Sequence, residues 1–322
     1  MISQTNGLEE HMAAPSKPKI ILIGGPTASG KTGLAVTLAL SLGGEVINAD
    51  SMQIYRGMDV GTAKPTPEEQ RGVIHHLLDV VDPDEDFNAA IYRQMALPLA
   101  KGICAKNVPC FVVGGTGLYM RSLLGGLVEL PPSDPALRER LNLECDRDGA
   151  LKLHQQLAER DPERAQSIHP NDRLRIIRAL EIFYQTRRPS SELLKQHQFG
   201  DQEFVALKLC LKVEKEQLYD RINARSERMM ARGLIPEVAG LMKKGYGPHL
   251  KSMSAIGYRH TLKYLQGEWS LETATETLKR DTRRYAKRQM TWFRAEPHMI
   301  HIDPEDKTLA ETRIRDFLAE SA

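Results

Sequence analysis

The 322-residue sequence predicts an α/β protein, a P-loop-type parallel sheet core flanked by helices, with a mostly helical inserted domain. Three observations carry the prediction. Short β-prone apolar runs, stopped by glycines or an acid, alternate with stretches of helical period, as in parallel sheets covered on both faces. The first run, IILIGG, leads into GPTASGKT, which fits the G-x-x-x-x-G-K-[ST] pattern of a phosphate-holding loop between a strand and a helix. From residue 136 to about 198 charges are dense, the period is helical and strands are absent.

The elements follow in order. Residues 1–17 contain acids and lack an apolar h-region, so they read as a flexible arm rather than a signal peptide. Residues 19–25 read as a buried strand and 31–42 as the helix after it. GEVINAD is a second strand ending near Asp50, and HHLLDVVDP is the candidate for a third. A helix is expected over 89–106, then another strand in VPCFVVGGTG, again stopped by glycines. Residues 131–200 read as the helical insertion. Strand-like alternation returns in QEFVALKLCLKV, residues 202–213, and helices dominate from Glu214 on, packing back on a core made of 18–130 and 201–322. No internal repeat or low-complexity tract is visible. In such sheets ligands sit beyond the carboxyl ends of the strands. Segments 25–32, 50–53 and 114–117 all follow strand ends, so the topology converges them on one site.

Composition excludes more than it selects. Apolar content is 41% and charged content 27%, ordinary for a globular protein, and the formal net charge of +2 announces no nucleic-acid binder, so any basic surface must come from local clustering. No apolar run reaches the roughly 18 residues of a membrane span. Cys104, Cys110, Cys145 and Cys210 form no C-x-x-C pair, which speaks against a zinc site and for free thiols in a reducing cytoplasm. His75 and His76 lack a third ligand nearby.

The chemistry-bearing residues come next. In the loop, backbone N–H groups and a helix N-terminus face an anion, Lys31 adds a point charge and the Thr32 hydroxyl can ligate Mg²⁺. An ATPase or kinase would pair this loop with an acid ending an apolar strand. CFVVGGTG ends in glycines and threonine instead, although LLDVVD offers Asp79 and Asp82. Asp50, directly after EVINA, is better placed for chemistry; its alternative is a turn or helix-capping aspartate. Thr116, in GGTGLY, has a hydroxyl where glycines let backbone approach a ligand; its alternative is a helix-capping threonine.

Two basic stretches stand out. In NDRLRIIRALEIFYQTRR, Ile176, Ile177, Leu180, Phe183 and Tyr184 form a core face, while Arg175 and Arg178 share another. In KRDTRRYAKRQMTWFR, residues 279–294, seven basic residues meet one acid, Asp281. Arg280, Arg284, Lys287 and Arg288 form a helical stripe interleaved with aromatic residues. A solvated face normally mixes signs, so this stripe suits an anionic polymer. Together these features suggest group transfer from a pyrophosphate ester onto nucleic acid.

At this point the motifs match a family. GGPTASGKT, NADSMQIYRGMDVGTAKPT, HHLLDVVDP, VGGTGLYMRSLLGGL, IHPNDRLRIIRALE, SAIGYR and AKRQMTWFR run in order over about residues 19–294, and the sequence so resembles the bacterial tRNA dimethylallyltransferases, also called tRNA isopentenyltransferases. The resemblance implies transfer of a dimethylallyl group from dimethylallyl diphosphate to N6 of the adenosine that follows the anticodon in tRNAs reading codons that begin with U. It implies that Gly25, Pro26, Thr27, Ala28, Ser29, Gly30, Lys31 and Thr32 hold the diphosphate with Mg²⁺, and that Arg178 reaches it. Asp50 would take the proton of the adenine amine and Thr116 would help fix that amine. Contacts to tRNA are implied for Asp50, Ser51, Met52, Gln53, Thr116 and Arg138, and for Leu174, Arg175, Ile176, Ile177 and Arg178. The same holds for Ser254, Ala255, Ile256, Gly257, Tyr258 and Arg259, and for Lys287, Arg288, Gln289, Met290, Thr291, Trp292, Phe293 and Arg294. A monomeric, cytoplasmic enzyme that engages no membrane is expected. The zinc finger of eukaryotic relatives is missing from the cysteine spacing. The rivals are an adenine-nucleotide isopentenyltransferase, a P-loop nucleotide kinase and a non-catalytic RNA-binding module.

Overall fold

In the computed structural model, which describes residues 17–128, 130–197 and 202–320, the first strand forms because both of its faces are buried. Ile20 and Leu22 enter one apolar cluster and Ile21 and Ile23 the other, each at most 2% exposed. A strand buried on both faces reads as a continuous apolar run, as KIILIG does. Six strands, β1 Lys19–Gly24, β2 Glu45–Asn48, β3 His75–His76, β4 Cys110–Val113, β5 Val205–Leu211 and β6 Ile300–Ile302, form one all-parallel sheet in the order β3-β2-β4-β1-β5-β6. Ile23 and Asn48 both lie opposite Val113, so β1, β2 and β4 end level at their carboxyl ends.

Parallel strands need crossovers, and helices supply them. Helix Lys31–Leu42 buries Leu34, Ala35, Leu38 and Ala39 against Ile21, Ile23, Val46, Phe111 and Leu209. Helix Ala89–Ala105 buries Tyr92, Ala96, Ala100 and Ile103 with Ile20, Leu22, Ile47 and Val112 in the other cluster, and starts where the Asn88 side chain accepts from the N–H groups of Ala90 and Ile91.

The strand expected over HHLLDVVDP is reduced to two residues. Leu77 and Asp79 take left-handed backbone, φ 61° and 54°, which ends the ladder, and only a bridge between Tyr55 and Val81 follows. β6 has no counterpart in the sequence, where helices are expected to dominate from Glu214 on.

The chain divides into two compact units, one of residues up to Leu124 and from Glu203 on, the other Gly125–Gln202. The second unit contains helices Pro135–Asp148, Ala150–Arg160, Pro162–Ser167, Arg173–Thr186 and Ser190–His197 around Leu141, Leu153, Leu157, Ile176 and Leu180. Among the described residues no helix is long and apolar enough to cross a membrane.

Candidate active site

The loop after β1 is built to leave donors free. Gly25, Ala28 and Gly30 have φ of 141°, 63° and 92°. Gly30 is the N-cap of helix Lys31–Leu42 yet offers no side-chain cap, and the first turn carries no acid. The first-turn N–H groups therefore have no helical partner, and the positive end of the helix is unneutralised. Lys31 donates to the Pro26 carbonyl at 2.7 Å. Its ammonium is shut in by surrounding protein, although the residue keeps part of its surface. Burial lowers its pKa to about 8, against the pull of Asp50.

Asp50 lies two residues beyond β2. Its Oδ1 accepts the Met52 N–H at 2.9 Å, and among the described residues Oδ2 accepts no protein hydrogen bond. Thr116 lies beside it: its Oγ1 accepts the Ser51 N–H at 3.0 Å and its own N–H donates to Ala49 at 3.1 Å. Gly114 must be glycine, since a Cβ there would sit 2.1 Å from the Ala49 carbonyl oxygen. The ends of β2 and β4 are thus drawn together with no side chain between them.

One cavity of about 800 Å³ is lined by Thr27, Ala28, Gly30, Lys31, Thr32, Asp50, Gln53 and Gln289, and by loop residues 59–66 apart from Gly61. That loop is held from beneath. Glu237 accepts the N–H groups of Asp59, Val60 and Gly61 at 3.0, 2.6 and 3.1 Å, and the Tyr258 hydroxyl at 2.6 Å. Neither Asp79 nor Asp82 lines the cavity: Asp79 pairs with the cavity-lining Lys64 at 2.5 Å and Asp82 with Arg56 at 3.1 Å. Thr32 lines the cavity, while among the described residues no group of three or more His, Cys, Asp or Glu could cage a metal.

The sequence reading missed the arginines of this cavity. Arg221, Arg225, Arg228 and Arg232 on helix Lys215–Arg232 all line it. Arg225 approaches the Thr27 hydroxyl at 3.4 Å, and burial draws its pKa below the ordinary guanidinium value, with Asp50 opposing. Their spacing of four, three and four in LYDRINARSERMMAR was the available signal.

Several residues expected at a tRNA surface are core residues instead. Ile176, Ile177, Tyr258 and Phe293 are 0, 3, 0 and 1% exposed, so their side chains pack rather than reach a partner. Gly257 is buried too. Gln289 is 5% exposed and accepts the Thr27 N–H of the loop after β1. The basic stripe is also less free than its composition suggests. Asp281 binds Arg259 at 2.7 Å, Arg280 at 3.1 Å and Arg284 at 3.6 Å, and receives His260 at 3.2 Å. Burial would raise the Asp281 pKa, but the hydrogen bonds outweigh it and hold it at about 2. Lys279 pairs with Glu227 and Glu276. Lys287, Arg288 and Arg294 are exposed and, among the described residues, form no ion pair; Arg288 lies over the Tyr285 ring. Ser254 and Thr291 are also exposed; Ser51, Met52, Ala255, Ile256, Met290 and Trp292 are half-buried.

Within the second unit, Arg138 and Arg178 share one buried carboxylate. Glu181 Oε2 accepts from both at 2.7 Å, and Oε1 accepts from Ser133 and from the Asp134 N–H. Arg178 also donates to the Pro131 carbonyl at 2.7 Å. Arg175 pairs with Asp172, and Leu174 is 81% exposed.

Comparison with known proteins adds a lineage. A family model described as IPP transferase matches residues 53–296, and one described as isopentenyl transferase matches residues 18–81. The tRNA dimethylallyltransferase of Desulfosudis oleivorans is 50% identical over 91% of this chain and 93% of its own length. That of Geobacter sulfurreducens is 52% identical over 90% of this chain and 93% of its own. Among solved structures, the full-length tRNA isopentenylpyrophosphate transferase of Bacillus halodurans aligns with a TM-score of 0.70 at 40% identity, covering 94% of this chain and 97% of its own. A eukaryotic dimethylallyltransferase acting on tRNA aligns with a TM-score of 0.76 at 28% identity, covering 93% of this chain and 77% of its own.

Proposed function

The chain belongs to the IPP transferase family, and from that premise we propose that it transfers the dimethylallyl group of dimethylallyl diphosphate to N6 of the adenosine 3′-adjacent to the anticodon in tRNAs reading codons that begin with U, releasing diphosphate. The observation that carries the reading is the single cavity shared by an uncapped phosphate loop and the Asp50 carboxylate.

The donor's diphosphate lies along residues 25–32, with Lys31 and Arg225 against its charge. Mg²⁺ fits the residues present: Thr32 offers a hard hydroxyl oxygen, and this ion takes most of its other ligands from substrate oxygens and water. When bound, it neutralises charge on the leaving diphosphate. The C1–O bond of the donor breaks and the N6–C1 bond forms, with the electron pair of the broken bond departing on diphosphate. Asp50 accepts the N6 proton. A carboxylate is a weak base, but the amine becomes acidic as it is alkylated, so late transfer suffices. Thr116 orients the amine. The target base must leave its stack to enter, which a loop nucleotide does cheaply.

Exposed Lys287, Arg288 and Arg294 on one unit, and Arg138, Leu174, Arg175 and Arg178 on the other, supply tRNA contacts in this reading. The enzyme works as a monomer in the cytoplasm. That neither Asp79 nor Asp82 lines the cavity, each being held in an ion pair, disfavours a kinase. Labelled dimethylallyl diphosphate, Mg²⁺ and either unmodified tRNA or AMP test the reading. Label in tRNA and none in AMP is expected; label in AMP alone would contradict it.

A further inference from the structure

Gln289 is buried, and both ends of its amide are used. Its Oε1 accepts the backbone N–H of Thr27 in the phosphate loop at 2.8 Å, and its Nε2 donates to the Gly115 carbonyl at 3.0 Å. One partner follows β1; the other follows β4 and adjoins Thr116. The surroundings admit no side chain. A Cβ on Gly115 would lie 2.2 Å from Gln289 Nε2, one on Gly24 2.4 Å from the Phe293 ring and one on Gly117 2.2 Å from the Trp292 ring. Helix Leu271–Ala295 therefore seats Gln289, Trp292 and Phe293 directly on the backbone of both loops. The glutamine amide accepts and donates at once without charge, which this bridge requires: a carboxylate would oppose the Gly115 carbonyl, and an ammonium could not accept from Thr27.

We infer that Gln289 is a positioning residue for the transfer, not a tRNA contact: it fixes the distance between the loop that holds the diphosphate and the turn that carries Thr116 and, through the Ser51 N–H, Asp50. The inference rests on the reaction proposed above. Its consequence is geometric, since a displacement of about 1 Å between reacting groups costs about a hundredfold in rate. Lys287 and Arg288, which precede Gln289 on the same helix, are exposed, whereas Gln289 is buried.

Gln289→Met keeps the approximate volume and removes both hydrogen bonds. Gly115→Ala leaves the glutamine in place and pushes a methyl against Nε2, so it answers the question should the first variant not fold. The donor kcat/KM is expected to fall about tenfold to a hundredfold in either variant, with tRNA Kd within about twofold of the parent, which also certifies folding. Values of kcat/KM within about threefold of the parent in both would reduce Gln289 to space filling and overturn the inference. A loss of tRNA affinity with the donor KM unchanged would make it an RNA contact and overturn it equally. Inorganic pyrophosphate, titrated calorimetrically into parent and Gln289→Met, reads the loop without any transfer. Weaker binding by the variant is expected, and equal binding overturns the inference. If the parent transfers nothing while this difference stands, the proposed reaction fails and the positioning of the loop survives.

Discussion

If the donor diphosphate lies on Lys31 as proposed, its binding should depend on pH. Burial lowers its pKa to about 8. The ammonium is then about nine-tenths populated at pH 7 and about one-tenth populated at pH 9, a ratio of about ten. If only the ammonium form binds, apparent affinity falls with that population, so donor Kd rises about tenfold, or about 1.4 kcal/mol, between pH 7 and 9. The donor does not share in the change, because its terminal phosphate has lost its last proton near pH 6. Nor does Cys210, whose thiol burial pushes up to about 11, nor Tyr119 and Tyr285, whose hydroxyls burial pushes higher still. The sign is that of a lysine with a depressed pKa: the free protein loses its proton as pH passes about 8, and the bound diphosphate draws it back. Calorimetry in buffers of different ionisation enthalpy would show proton uptake on binding growing toward one at pH 9. Lys31→Met should bind more weakly with a flat pH profile. A parent Kd constant within about twofold from pH 7 to 9 would refute the reasoning: either the Lys31 pKa is not depressed or the diphosphate does not lie on it. A Lys31→Met Kd equal to the parent's at pH 7 would refute the placement itself.

Other outcomes follow from the same geometry. Asp50→Ala should abolish transfer while leaving tRNA affinity within a few fold by filter binding; loss of tRNA binding would make Asp50 a positioning residue. Arg225→Gln should raise the donor KM about tenfold to a hundredfold, the worth of a hydrogen bond to a charged group, as steady-state kinetics would read; an unchanged KM would remove Arg225 from the donor site. Lys287→Ala combined with Arg288→Ala should weaken tRNA binding and reduce its salt slope by about 1.5, two phosphate contacts' worth. Phe293→Ala, at a side chain 1% exposed, should cost about 3–5 kcal/mol in denaturant unfolding.

What the sequence made legible was local. β1 and β4 were visible because burial on both faces leaves an unbroken apolar run, and the phosphate loop because its glycines sit at fixed offsets. Asp50 and Thr116 were visible as residues following such strands. β6 was not, since Ile300–Ile302 is three residues with an exposed His301 in the middle, too short for alternation to register. The extent of β3 was misjudged because left-handed backbone at Leu77 and Asp79 leaves no mark in an apolar run. Arg225 and Gln289 reach Thr27 in the loop after β1 from 198 and 262 residues away, through packing that no local pattern encodes. The basic stripe was over-read for the same reason: the single acid in that segment, Asp281, also gathers Arg259 from another helix.

The central claim is a specific bond on a specific nucleotide. Mass spectrometry of nuclease fragments from unmodified tRNA incubated with the protein, dimethylallyl diphosphate and Mg²⁺ tests it most directly. The account predicts one added C₅H₈ group on N6 of the adenosine 3′ to the anticodon, present with the parent and missing with Asp50→Ala. Modification at another nucleotide, or unmodified tRNA alongside a turned-over donor, would contradict it.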